Sequence, residues 1–349
     1  MLFALRRREQ PFLKTAACLG CLLLLILAAC SPSRATPAPS QAAPTAAPTV
    51  TSTSIPSPSP TSSSTPVLGV SPLPETTPSP SPTVLPPDFW QTLPVIPEKV
   101  SQSVREIYQN GLAMGNNPRI FSRIGDCASA APAFLVGFDR NYNLGDYVSL
   151  QPAIDYFKGS FGRPSLAAKA GLNSAGLLTT LWTGEQCQKN ESLLDCQYRL
   201  DHPSFAIIAI GTNEAYYVHV NPGSFEKNMR LILDDTIARG IVPVLSTKAD
   251  NVEGDDSINA TIARLALEYN LPLWNFWRSV QPLPEHGLAD PDHLNSVSYA
   301  NFTDFSIPNS LQYGTQMHNL TALQMLDFLR AQLAGTPTVS ELPASNSLP

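Results

Sequence analysis

The heptapeptide RIGDCAS, Arg123 to Ser129, closes an apolar run with a glycine, an acid and a cysteine. A thiol so placed is a nucleophile only when a base takes its proton or nearby charge holds it as thiolate; otherwise it is a small apolar side chain. The chain has five histidines, and His293, in DPDHLN, comes with an acid three residues earlier in a short Pro-containing loop. Asp290 and His293 at that spacing can meet locally, and an imidazole works as a base only in the tautomer such a partner fixes. Asp292, next to the ring in sequence, is the weaker candidate for that partner and reads rather as a solvated carboxylate. His202, His286 and His318 stand in no such motif and read as surface or structural residues. Charge developing on a carbonyl oxygen needs preorganised donors. Asn213 in IGTNE offers a side-chain amide, and AGLNSAG offers backbone amides at Gly171 or Gly176. Taken singly, an asparagine in a turn bonds its own backbone and a glycine marks a positive φ.

Residues this far apart meet only where the ends of several strands converge. Five short apolar runs end in polar or glycine residues: RIFSRIG, SLAAKAG, FAIIAIG, IVPVLST and LPLWNFW. Runs apolar on both faces suit a parallel sheet covered by helices. A helix is predicted over Lys99 to Met114, and a second where Met229, Ile232, Leu233, Thr236 and Ile237 share a stripe ahead of Gly240. A third is capped by Asp256 or Ser257 and turns Ile258, Ile262 and Leu265 inward; a last lies near Leu320 to Leu333. This order predicts an α/β fold over residues 89–334: a three-layer α/β/α sandwich with a doubly wound, five-stranded parallel sheet of flavodoxin-like type. Ligands in such folds sit beyond the carboxyl ends of the strands. That makes Asp126, Glu214, Tyr216, Lys248 and Asn251 candidate substrate contacts, with Tyr217, His219, Asp250, Asn275, Trp277 and Arg278 around them. Aromatics beside carboxylates and amides suit a sugar ring.

IGDC after the first run, a glycine after the second, IGTNE after the third and DPDHLNSVSY near the C-terminus, in that order, resemble the four blocks of the SGNH/GDSL hydrolase family. The resemblance covers essentially the whole folded part. It implies an ester hydrolase in which the block I nucleophile attacks a carbonyl, His293 is the base and Asp290 orients it. It also implies an oxyanion hole from the amides of Cys127 and Gly171, with Gly176 as the other choice for the second, and the side chain of Asn213. The departure is Cys127, which stands where the family has serine. Three alternatives follow: a thiolate paired with His293 performs the attack; sulfur is merely a small apolar residue and the scaffold binds a carbohydrate it does not cleave; or Ser129 acts, although two residues along an incipient helix its side chain points elsewhere.

The chain's ends bear on where this happens. Arg6, Arg7 and Arg8 precede an apolar segment too short to span a bilayer comfortably, and Leu27-Ala28-Ala29-Cys30 resembles the lipobox of bacterial lipoproteins. Residues 1–29 are therefore expected to be a lipoprotein signal peptide and Cys30 the lipidated residue, with the protein on the extracytoplasmic face of a bacterial membrane. From Cys30 to residue 88 the chain is rich in Pro, Ser and Thr, holds nearly half of its 34 prolines and reads as a disordered spacer. Such a spacer reaches about 40 to 180 Å. Residues 335–349 read as a disordered tail. Of six cysteines, three fall in the folded part, and Cys187 with Cys196 form the natural disulfide across CQKNESLLDC, leaving Cys127 alone. The cysteine spacings fit no zinc pattern and no histidines pair on a helix turn, so no metal and no cofactor are expected. A net charge of −6 argues against nucleic acid as a partner. The expected partners are a glycan or small-molecule ester and, through the lipid anchor, the membrane; the chain itself is expected to be a monomer.

Overall fold

The structure is a computed structural model that describes residues 86–334 apart from 131, 220 and 298–300. The signal segment, Cys30 with nearly all of its spacer, and the tail lie outside the described residues. No helix among the described residues is long and apolar enough to cross a membrane.

Strands β1 (Asn117–Gly125), β2 (Pro203–Ala209), β3 (Val242–Ser246) and β4 (Leu273–Trp274) form one parallel sheet in the order β1-β2-β3-β4. β2 and β3 are buried along almost their whole length, as their unbroken apolar runs require. The α/β fold class is as expected, but the sheet has four strands, not five. SLAAKAG contributes only a single parallel bridge, Gly125 to Ala168. The cause lies in what satisfies its backbone: the Leu166 amide donates to Gln197 Oε1 at 2.6 Å, and the Ser165 hydroxyl to the Arg123 carbonyl at 2.6 Å. Side chains thus take partners that a ladder would have used. Because the bridge uses the edge of β1 away from β2, the chain still winds outward from β1 in both directions. That reversal opens a crevice at the strand ends.

Helices α1 (Gln102–Ala113), α2 (Gln151–Tyr156), α3 (Ser174–Leu177), α4 (Leu193–Asp201), α5 (Thr212–Ala215), α6 (Ser224–Ala238), α7 (Ser257–Glu268), α8 (Phe276–Val280) and α9 (Gly314–Leu333) flank the sheet on both sides. Ser101 caps α1, its hydroxyl accepting from the Val104 amide. The stripe Met229, Ile232, Leu233, Thr236 of α6 is buried. Neighbouring α6 and α7 are tied by Arg230 to Glu268 and Arg264 to Glu226. Asp256 stands at the start of α7 but its side chain makes no capping bond, and Asp255 instead accepts from the Ser257 amide. α1 and α9 are joined by Arg105, which donates to the Gln332 carbonyl. The core is strongly aromatic: Phe121, Phe157 and Phe161 meet edge to face, and Tyr108 stacks on Phe205. His318 belongs to it, stacked 4.3 Å from Phe134 and 4.9 Å from Trp274; burial pushes its pKa down to about 3, so it is a neutral ring.

Gly125, the last residue of β1, has no room for a side chain. A Cβ there would lie 2.1 Å from the Ala209 carbonyl oxygen and 2.5 Å from Ser129 Oγ. Overpacking against backbone costs about 1–3 kcal/mol or more. Gly125→Ala is therefore expected to lower the urea midpoint by at least the equivalent of about 2 kcal/mol; an unchanged midpoint would show that the strand ends are looser than described.

Candidate active site

β1 delivers the chain to the crevice, and Asp126 turns it. Its carboxylate accepts from the Ala128 amide and from the Thr212 amide, each at 3.3 Å, and so fastens the end of β1 to the end of β2. Asp126 is buried and its pKa is pushed up to about 7, first by desolvation and then by Asp250 and Glu214. It acts first as a structural knot, its buried carboxyl lining a small chamber at the strand ends. Cys127 follows at the start of a short 3-10 turn, Cys127–Ser129, and is partly exposed. Burial and the neighbouring Asp126 push its thiol up to about 12, against the smaller opposing effect of the Ala128 amide and its own. Ser129 is fully buried and its hydroxyl faces the Ala209 carbonyl at 3.3 Å, which removes it as a nucleophile.

The C-terminal loop carries His293, the candidate base. His293 Nδ1 lies 2.9 Å from Asp290 Oδ1, and 2.8 Å from Asp292 Oδ1. Nothing among the described residues bonds Nε2. These acids hold the imidazole pKa above its ordinary 6.5, the bond from Asp290 contributing most. The expectation that Asp292 is simply solvated is wrong: it is 18% exposed against 49% for Asp290, and the Tyr216 hydroxyl donates to it. A small chamber lined by Asp126, Ala128, Thr212, Lys248, Asp250, Asp292 and His318 places this loop against the end of β1. No hydrogen bond joins Cys127 Sγ to His293, so in the resting arrangement the thiol keeps its proton.

Two of the donor candidates share a cavity. Gly171, at φ +79°, and Asn213 line one cavity of about 480 Å³, with Trp182, Leu181, Tyr216 and Tyr217 as its walls. Neither the Cys127 nor the Gly171 amide donates to a backbone carbonyl among the described residues. Asn213 Nδ2 donates to the Leu172 carbonyl at 2.9 Å, which aims its amide along the loop carrying Gly171. Gly176 lines the same cavity one turn further on, inside α3. Tyr216, Tyr217 and Leu181 are more than half exposed at this rim. Trp182 escaped the sequence reading because it lies in no block; its position just before the cysteine-closed loop was the available signal. That loop is closed, as expected, by the Cys187–Cys196 disulfide.

Other candidates are elsewhere engaged. Lys248 is buried in ion pairs with Asp250 and Glu253 at 2.7 and 2.6 Å, so its ammonium is not offered to a substrate. Asn251 accepts from the Gly254 and Asp256 amides and shapes an exposed turn. Glu214 is buried, takes the Ser174 amide, and has its carboxyl pKa raised by desolvation; it lies behind the cleft wall, lining a second cavity of about 310 Å³. His219 bonds the Glu253 carbonyl. Asn275 caps α8, Trp277 meets Trp90 edge to face, and Arg278 donates to the Leu93 carbonyl, so this trio holds the N-terminal segment to the domain.

No family model matches the chain, and no curated protein does. Among solved structures it is similar to a G-D-S-L family protein from Desulfitobacterium hafniense DCB-2, at 13% identity and TM-score 0.36 over 59% of this chain and 99% of that one. It is also similar to a catalytic mutant of an acetylxylan esterase from Geobacillus stearothermophilus, at 15% identity and TM-score 0.37 over 60% and 94%. A GDSL-like lipase from Bacteroides thetaiotaomicron VPI-5482 aligns at 14% identity and TM-score 0.34 over 64% and 97%. With identities and TM-scores this low, what the chain does rests on its own residues.

Proposed function

We propose that the chain is an SGNH-type esterase, anchored through Cys30 on the extracytoplasmic face of the membrane, that cleaves acyl esters of a glycan or lipid with Cys127 as nucleophile. The observation that carries this reading is the state of His293: Nδ1 is held by carboxylates while Nε2 is left unbonded, which is how a general base must be presented. In the reaction, Nε2 takes the thiol proton as sulfur bonds to the ester carbonyl. The resulting oxyanion is met by the Cys127 and Gly171 amides and Asn213 Nδ2. The protonated imidazole then gives its proton to the departing alcohol as the carbon–oxygen bond breaks. Water, deprotonated by the same nitrogen, hydrolyses the thioester and restores the thiol.

A second reading, a glycan-binding protein on a hydrolase scaffold that no longer cleaves, is favoured by one observation: the thiol is pushed up to about 12 and has no bond to His293. The two separate on purified protein offered nitrophenyl acetate and acetylated oligosaccharides. The esterase releases acetate, and kcat/KM rises with pH through a limb above 6.5, because His293 must lose a proton that its carboxylates hold. Saturable glycan binding with no acetate released at any pH would establish the second reading.

A further inference from the structure

His293 has one N–H at Nδ1, which bonds both oxygens of Asp290, at 2.9 and 3.1 Å, while a second carboxylate stands at ion-pair distance off the N–H direction. Asp290 Oδ1 lies at 2.9 Å and Asp292 Oδ1 at 2.8 Å. The two carboxylates are not equivalent. Asp290 Oδ1 already accepts from the amides of Asp292 and His293, at 3.1 and 2.8 Å, so much of it serves the turn. Asp292 is the better buried of the two, and its second oxygen is held by the Tyr216 hydroxyl, which comes from the far side of the crevice, just after α5. A carboxylate withdrawn from water and fixed by a donor from another element is a stiffer acceptor than one on an exposed turn.

We propose that Asp292, clamped by Tyr216, is a second positioning carboxylate for His293, so that the base is oriented from two sides and one of its supports is anchored in the wall of the substrate cleft. The proposal rests on the esterase reading above for its catalytic consequence, but not for its structural content. Asp290 takes the Nδ1 proton in this arrangement, and a small turn of the ring would bring it onto Asp292 Oδ1; both fix the same tautomer, with the lone pair of Nε2 facing outward. The imidazole N–H and the tyrosine O–H also separate two like charges that would otherwise repel across a short gap. The remaining titratable groups around this corner are Cys127 and Asp126 from the end of β1, Lys248 and Asp250 beyond β3, and the neutral His318. The cation among them, Lys248, is taken up by Asp250 and Glu253, so the two loop carboxylates set the charge the imidazole meets. Because Tyr216 lines the same cavity as Gly171, Asn213 and Trp182, a ligand that packs on its ring also bears on the acceptor behind it.

The test compares Asp290→Asn, Asp292→Asn, the double variant and Tyr216→Phe in the Asp290→Asn background, on the full chain in detergent. Histidine ¹⁵N resonances report the tautomer and pKa of His293 whether or not any ester is cleaved. Each single Asp variant is expected to keep the Nδ1–H tautomer, lower the His293 pKa, and lose no more than about tenfold in kcat with KM unchanged. The double variant loses the tautomer and about ten-thousandfold, the usual cost of an unoriented base. Tyr216→Phe in the Asp290→Asn background falls between. If Asp290→Asn alone scrambles the tautomer, or Asp292→Asn leaves both pKa and tautomer untouched, Asp292 is not a positioning group. A chain with no turnover but the expected resonances would sink the esterase reading and leave this one standing.

Discussion

Cys127→Ala is expected to lower ester hydrolysis about ten-thousandfold or more, to the level that oxyanion donors and binding alone provide. Serine at the same position is the more informative exchange. On the proposed reading a hydroxyl would use the same groups as the thiol: the imidazole held by Asp290, the Cys127 and Gly171 amides, and the Asn213 amide that now bonds the Leu172 carbonyl. A thiol raised to about 12 gains little from its intrinsic nucleophilicity, because almost none is ionised at neutral pH. It must surrender its proton during attack, as a hydroxyl would. Cys127→Ser is therefore expected to retain hydrolysis within about a hundredfold of the wild type, since exchange of one atom leaves base and donors untouched. The measurement is acetate release under initial-rate conditions for all three proteins. Equal rates in wild type and Cys127→Ala would remove Cys127 from the reaction.

The second large effect is on stability. Asp126 is fully buried with its pKa raised to about 7, from an ordinary 3.8. A carboxyl whose folded pKa is raised keeps its proton in the native state between those two values while the unfolded chain has released it. Its contribution is complete below about 4 and is lost as pH rises to 7. Between pH 5 and pH 8 the domain should lose about 3 kcal/mol from this group alone. Asp126→Asn, isosteric with the protonated acid, removes that part of the slope. Urea unfolding of both proteins at the two pH values measures it, and equal slopes would contradict the assignment. The same exchange removes the charge nearest the thiol. Above pH 7 it should speed alkylation of Cys127 by about threefold for each unit the thiol falls, since the tenfold gain in thiolate is partly offset by weaker nucleophilicity.

What sequence made legible follows from which physical signals are local. Unbroken apolar runs announced β1 to β4, and the stripe of α6 announced the helix between β2 and β3. SLAAKAG has the same composition yet forms no strand, because the choice between a ladder and the Gln197 side chain is made by a residue in α4, some thirty positions away. Asp290 with His293 was readable from spacing, since a three-residue loop can close on itself. Asp292 was misjudged because its environment is made by Tyr216, from a different element. Lys248 was taken for a strand-end contact when Glu253, five residues on, draws it inward. Among the substrate candidates, Tyr216 and its neighbour Tyr217 stand exposed on the open cleft.

The wall that carries Trp182 is fastened both by a covalent bond and by side chains: the Trp182 carbonyl takes Lys169 Nζ, the segment beyond it enters the Cys187–Cys196 bridge, and Arg199 holds the same loop through the Gln186 carbonyl and Glu191. The stiffness of this side of the cleft thus depends in part on redox history. A chain produced under reducing conditions would keep the Arg199 ties and lose the covalent one, so affinities measured on such material would describe a looser flank than the one oxidation completes.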